Sequence, residues 1–216
     1  AGTGTLTLSG ANTYVGATTS SGGTLLVNGS QGSSAVSLTT GTFGGTGTVG
    51  ALTSTGGTIS AGSPATGPGL LNSGSLNLSA GAPTLSVQLD GTTAGTGYDQ
   101  LNVTGTVNLT AAGLTGTAGF TAAFGDTFTI IDNDGADAVT GTFAGKAEGS
   151  TVTLSSQTFM VSYVGGTGND VVLTKVGTTL GSATDPGNTT LAPGGAATMA
   201  DAFTFQAASG TDTITA

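Results

Sequence analysis

One short phrase recurs along the chain: glycine, then threonine or serine, then residues that alternate apolar and polar. It stands at Gly4 (GTLTLSG), Gly23 (GTLLVNG), Gly41 (GTFGG), Gly57 (GTISAG), Gly74 (GSLNLSAG) and Gly105 (GTVNLTAAG). The first four steps are 19, 18, 16 and 17 residues; the last, 31, reads as about two such steps with Gly91 near its middle. Self-similarity at a short period marks stacked repeats, each too thin to bury its own apolar face. A quasi-period of 16–19 residues, with short strands and Gly/Asn turns, suits one coil of a β-solenoid whose strands stack on the next coil about 4.8 Å away.

The alternation sets the faces. Leu6 and Leu8 oppose Thr5 and Thr7, Leu76 and Leu78 oppose Ser75 and Asn77, and Val107 and Leu109 oppose Thr106 and Asn108. A period of two sends one set inward and the other to water. The expectation is therefore that Leu6, Leu8, Leu25, Val27, Leu76 and Leu78 point inward over residues 1–82. Threonine on the outer face is a good strand former because it is β-branched, and glycine allows positive φ at sharp corners.

Composition agrees. Glycine fills 41 of 216 positions and charged residues are 6%, so helix formers such as Glu, Lys and Arg are scarce. Five prolines without a Gly-x-y period exclude collagen. A mean hydropathy of +0.25 excludes the charge-rich kind of disorder. An all-β chain of small residues remains.

Two basic residues against eleven acidic ones give a net charge of −9. Lys146 and Lys175 cannot displace the counterions of a nucleic acid, and anionic membranes are disfavoured for the same reason. No apolar run approaches a membrane span, so neither nucleic-acid binding nor membrane insertion is expected. Zero cysteine removes disulfides and thiolate chemistry, and zero histidine removes the commonest acid–base group. An initial Ala1 fits a processed mature form or a fragment, and the Cys-free, acidic, Thr/Gly-rich composition fits a secreted protein of the bacterial surface.

From about residue 83 the strands lengthen: PTLSVQLDG (83–91), YDQLNVTGTVNL (98–109), DTFTIIDNDG (126–135), STVTLSSQTFMVSYVGG (150–166) and NDVVLTKV (169–176). Phe120, Phe124, Phe128, Phe143, Phe159 and Tyr163 concentrate here. Residues 83–176 thus read as an aromatic-richer β module that caps the repeats of 1–82.

GTLTLSGANTYVGATTSSGGTLLVNGS (4–30) resembles the autotransporter-associated β-strand repeat of bacterial passenger proteins, and YDQLNVTGTVNL…GDTFTIIDNDGADAVTGTF…GGTGNDVVLT resembles the module that often ends such arrays. The resemblance covers about residues 4–174. It implies a secreted or surface-exposed β-helix in adhesion or display and usually no catalysis. Host or matrix glycans are candidate partners beside self-association.

Residues 177–216 begin with a Gly/Pro/Thr-rich linker and end in two strand-like runs, Ala202–Gln206 and Thr211–Thr215. Two short strands do not stand alone in water. They pack back on their own chain, belong to a second module, or complete a neighbouring subunit by strand addition. In the last case Phe203, Phe205 and Ile214 are the apolar anchors of a head-to-tail self-association that propagates into a filament.

Candidate chemistry is sparse. Asp132, Asp134 and Asp137 sit within six residues around Gly135, an oxygen spacing that suits Ca²⁺, or a plain polar turn. Gly165–Leu173 (GGTGNDVVL) matches one nonapeptide of a calcium-binding repeat, a fold that binds between consecutive copies; only one is present. Asp90, Asp99 and Asp126 read as turn caps, and Lys146 with Glu148 reads as an isopeptide crosslink or a solvated loop. The sequons at Asn28, Asn77, Asn102, Asn108 and Asn188 are glycan acceptors or chance matches.

The reading is a non-catalytic extracellular structural protein, either an adhesin passenger or a filament subunit, with no cofactor beyond the candidate Ca²⁺. The alternatives are a polysaccharide-acting β-helix enzyme, disfavoured by the lack of Arg and His, and an ice-binding solenoid. The latter draws on Thr-x-Thr pairs such as Thr46/Thr48, Thr53/Thr55, Thr104/Thr106 and Thr115/Thr117, whose spacing is irregular.

Overall fold

The computed structural model describes residues 2–63 and 65–177, and every regular element among them is a β-strand. In chain order these are β1 (Thr5–Leu8), β2 (Thr18–Val27), β3 (Ser30–Gln31), β4 (Val36–Gly45), β5 (Thr48–Val49), β6 (Leu52–Ser54), β7 (Thr58–Ala61), β8 (Leu70–Ser73) and β9 (Leu76–Asn77). Then follow β10 (Thr84–Leu89), β11 (Gln100–Val103), β12 (Val107–Asn108), β13 (Gly113–Ala118), β14 (Thr127–Asn133), β15 (Thr151–Leu154), β16 (Gln157–Gly165) and β17 (Asp170–Lys175). The described chain is all-β, with a curled parallel sheet. Residues up to Val176 form one compact unit; Phe203, Phe205 and Ile214 lie outside the described residues.

Three parallel ladders carry the strands. In the first, Thr5 pairs with Thr24, Thr24 with Thr42, Thr42 with Thr58, Thr58 with Thr84 and Thr84 with Gly113, which are steps of 19, 18, 16, 26 and 29 residues. In the second, Val36, Leu52, Leu76 and Val107 pair in turn. In the third, Leu71, Leu101 and Ile131 do so. The chain visits the second, first and third ladders in a fixed order: β6, β7, β8, then β9, β10, β11, then β12, β13, β14. Each visit adds one rung to each ladder, so the inward residues of one visit pack on those of the next.

The Gly-Thr phrase has a steric cause at the first ladder's corner. Gly23, Gly41 and Gly57 have φ of 65°, 86° and 77°, the left-handed region that side chains resist. A Cβ on Gly41 would strike the Gly23 carbonyl of the rung below, and one on Gly57 would lie 2.5 Å from the Gly41 carbonyl. The glycines therefore stack on each other. The following Thr faces outward, and the next residue (Leu25, Phe43, Ile59) is buried.

Two expectations need correction. Leu25, Val27, Leu76 and Leu78 are buried, but Leu6 is 59% exposed and Leu8 only partly covered. Among the described strands β1 pairs with β2 alone, so no rung covers the far side of Leu6. The phrases at Gly74 and Gly105 also belong to a different ladder from those at Gly4 to Gly57. Leu76 pairs with Leu52 and with Val107, so the 31-residue interval is one rung enlarged by a loop, not two rungs.

The parallel ladders cross residue 83 without a break, because β10 pairs with both β7 and β13. The pattern changes at β14. This strand pairs parallel with β11 but antiparallel with β17, which pairs antiparallel with β16, and β16 with β15. The aromatics gather at this junction. Phe128 of β14 is fully buried and meets Tyr98, Phe120 and Phe159 edge-on, with ring centroids 5.4, 6.1 and 5.8 Å away.

Candidate functional site

β14 buries Ile130 and Ile131 in succession, then exposes Asp132 and buries Asn133 at its end. Gly135, with φ of 70°, then turns the chain. Asp134 and Asp137 are exposed on this turn. The second glycine-rich phrase comes back to meet it: Asn169, at the end of the loop between β16 and β17, and Asp170, the first residue of β17, are both buried against the acidic turn. The two motifs read separately in the sequence are one structure, more than thirty residues apart in the chain.

Asp170 is the anchor. Its Oδ1 accepts the Asn133 N–H at 2.9 Å; its Oδ2 lies 2.8 Å from the Thr167 N–H and 3.1 Å from the Thr167 hydroxyl. Asn169 faces the turn itself, with its Nδ2 within 3.4, 3.5 and 3.1 Å of the carbonyl oxygens of Asp134, Gly135 and Asp137. Asn133 Nδ2 also donates to the Asp137 carbonyl, at 2.7 Å. One amide group thus sits where three carbonyls converge. A calcium ion taking those carbonyls would have to displace it.

The three proposed ligands do not share one centre. Asp132 stands in an outward row with Asn72 and Asn102, where Asn102 Nδ2 donates to Asn72 Oδ1 at 3.1 Å. Partial burial raises the Asp132 carboxyl above its ordinary pKa, and the charges of Asp170 and Asp134 push it further the same way. Asp137 contributes its backbone carbonyl to the turn. Among the described residues no group of three or more His, Cys, Asp or Glu side chains could hold a metal ion.

The remaining candidates have local partners. Lys146 Nζ donates to the Thr151 carbonyl at 2.7 Å, and Glu148 Oε2 accepts the Tyr163 N–H at 2.6 Å. Tyr163 ties this loop down: its hydroxyl donates to the Lys146 carbonyl and accepts the Phe143 N–H. Asp126 accepts the Ala123 N–H at 2.8 Å, as a turn cap does. Asn28, Asn77 and Asn108 each accept a backbone N–H; Asn188 lies outside the described residues. Asp99 departs most from its turn-cap reading, being only 1% exposed.

Sequence reasoning singled out both turns but missed Asn169 and Asp170 as the groups that join them. The available signal was the Asn-Asp pair just before a strand of four apolar or β-branched residues, where a polar side chain that is not solvated must find a partner.

No protein-family model, curated protein or solved structure matches this chain.

Proposed function

We propose that the chain is a β-solenoid of the autotransporter-associated repeat kind, serving as a non-catalytic structural protein of the bacterial cell surface. The observation that carries this reading is the fixed order in which the chain revisits its three parallel ladders. Such a path stacks one coil on the next, as an extended array requires. One outward row is threonine throughout, with Thr5, Thr24, Thr42, Thr58 and Thr84 in register. Surfaces of this composition suit adhesion to glycans or contact between subunits. The Gly/Thr-rich, Cys-free, acidic composition supports an extracellular place.

Assembly is assigned to residues 177–216, with Phe203, Phe205 and Ile214 as apolar anchors that add a strand to a neighbouring subunit. Full-length protein is expected to sediment as polymers and to give filaments by electron microscopy; residues 1–176 alone stay monomeric and folded. Assembly by the truncated protein would overturn the mechanism. A full-length protein that stays monomeric would leave the adhesin form of the reading.

The register gives ice binding its one supporting observation, the five aligned threonines. The row two residues further along runs Thr7, Leu26, Gly44 and Ser60, with Gly44 and Ser60 buried. A flat ice-matching face needs a second regular row, so this mixed one counts against that reading.

A further inference from the structure

Asp99 lies between β10 and β11 with its carboxyl turned into the protein, 1% exposed. It joins three separate pieces of chain. Its Oδ1 accepts the Gly69 N–H, just before β8, at 2.9 Å; its Oδ2 accepts the Gln88 N–H of β10 at 3.0 Å and lies 3.3 Å from the Ser60 hydroxyl of β7.

Charge balance is what makes the position informative. β7, the Gly67–Gly69 turn, β8, β10 and β11 carry no basic or acidic side chain. Asp90, directly after β10, and Tyr98 are the titratable groups nearby, and Asp90 adds repulsion. The two lysines belong to the segment before β15 and to β17. A buried carboxylate with no cation beside it is costly, and such a group ordinarily takes up a proton instead. The geometry accommodates that proton. Placed on Oδ2 it is donated to Ser60 Oγ, whose own hydrogen turns to the Ala61 carbonyl 3.5 Å away, and both backbone donors keep their acceptors.

We propose that Asp99 is a proton-operated clamp: neutral, it holds β7, the turn into β8 and β10 together, and ionised, it loosens that junction. Burial pushes its carboxyl up to about 7, the hydrogen bonds from Gly69, Gln88 and Ser60 pull it back in part, and Asp90 pushes it up again. Because the folded value lies above the unfolded one, near 3.9, the folded chain binds this proton more tightly. The stability the group contributes is complete below about pH 4, declines as pH rises through the folded value, and is gone above it. The clamp is independent of the surface role proposed above and gives the fold a response at neutral pH.

The test is an NMR titration of the full chain from pH 3 to pH 9, following the Asp99 side-chain carboxyl carbon and the amides of Gly69 and Gln88. The expected midpoint is about 7, shared by both amides. Their protection against hydrogen exchange, corrected for the intrinsic rate, falls about tenfold or more between pH 5 and pH 8. Asp99→Asn abolishes the step. Should that variant not fold, Ser60→Ala removes the hydroxyl that meets the carboxyl in both protonation states, and the midpoint shared by the Gly69 and Gln88 amides moves away from the parent value. A midpoint in the ordinary carboxylate range, or Gly69 and Gln88 amides that ignore the Asp99 titration, overturns the clamp.

Discussion

Phe128→Ala lowers the stability of the described unit by about 3–5 kcal/mol, the range for removing a fully buried phenylalanine. For a chain of this size that is about 6–20 °C in melting temperature. The reason is position as well as volume. Phe128 is fully buried where parallel pairing gives way to antiparallel, and three aromatic rings meet it edge-on. Its loss opens a cavity bordered by β14, β16 and the segments carrying Tyr98 and Phe120. Phe124, which is 43% exposed, is the matched comparison, and Phe124→Ala costs less than about 1 kcal/mol. Thermal unfolding of the two variants side by side checks the ranking. Equal losses would mean that the aromatic junction is not a packed core.

Gly41→Ala is expected to cost about 2–5 kcal/mol through two effects that add. Its φ of 86° disfavours any side chain, and the new Cβ is driven into the Gly23 carbonyl and the Gly22 backbone of the rung below. Backbone in a ladder cannot yield as a side-chain end can, so the strain spreads to β2 and β4. Gly32→Ala is the control: the added Cβ meets only the Thr48 methyl at 3.7 Å, and the variant stays within about 0.5 kcal/mol of the parent. Chemical denaturation of both variants measures the difference. A Gly41→Ala protein as stable as Gly32→Ala would remove the glycine column from the account.

These residues also show what the sequence carries and what it does not. Strand alternation is local, so the burial of Leu25, Val27, Leu76 and Leu78 could be read directly from it. The Gly-Thr phrase marks a real corner at Gly23, Gly41 and Gly57, because each side chain added there would meet the rung beneath. The same phrase at Gly74 and Gly105 lies on another ladder. Local chemistry is alike at every corner, and only the lengths of the intervening loops decide which ladder a strand joins. Leu6 alternates correctly and is nonetheless exposed, since burial also needs a neighbouring rung.

At the candidate site the acidic turn and the GGTGND loop were each visible. Their union through Asn169 and Asp170 was not, because it depends on β17 returning antiparallel beside β14. Asp99 is the clearest case of a local reading overridden. An aspartate between two strands ordinarily caps a turn in water, and here three distant segments close over it.

The register of β7 tests the three-ladder path most directly. Nuclear Overhauser contacts from the backbone of Ile59 are expected to reach Phe43 on one side and Leu85 on the other, 16 and 26 residues away, in the parallel pattern. An antiparallel pattern linking β7 to β6 or β8, its neighbours in sequence, would contradict the parallel ladders and the stacked array proposed from them.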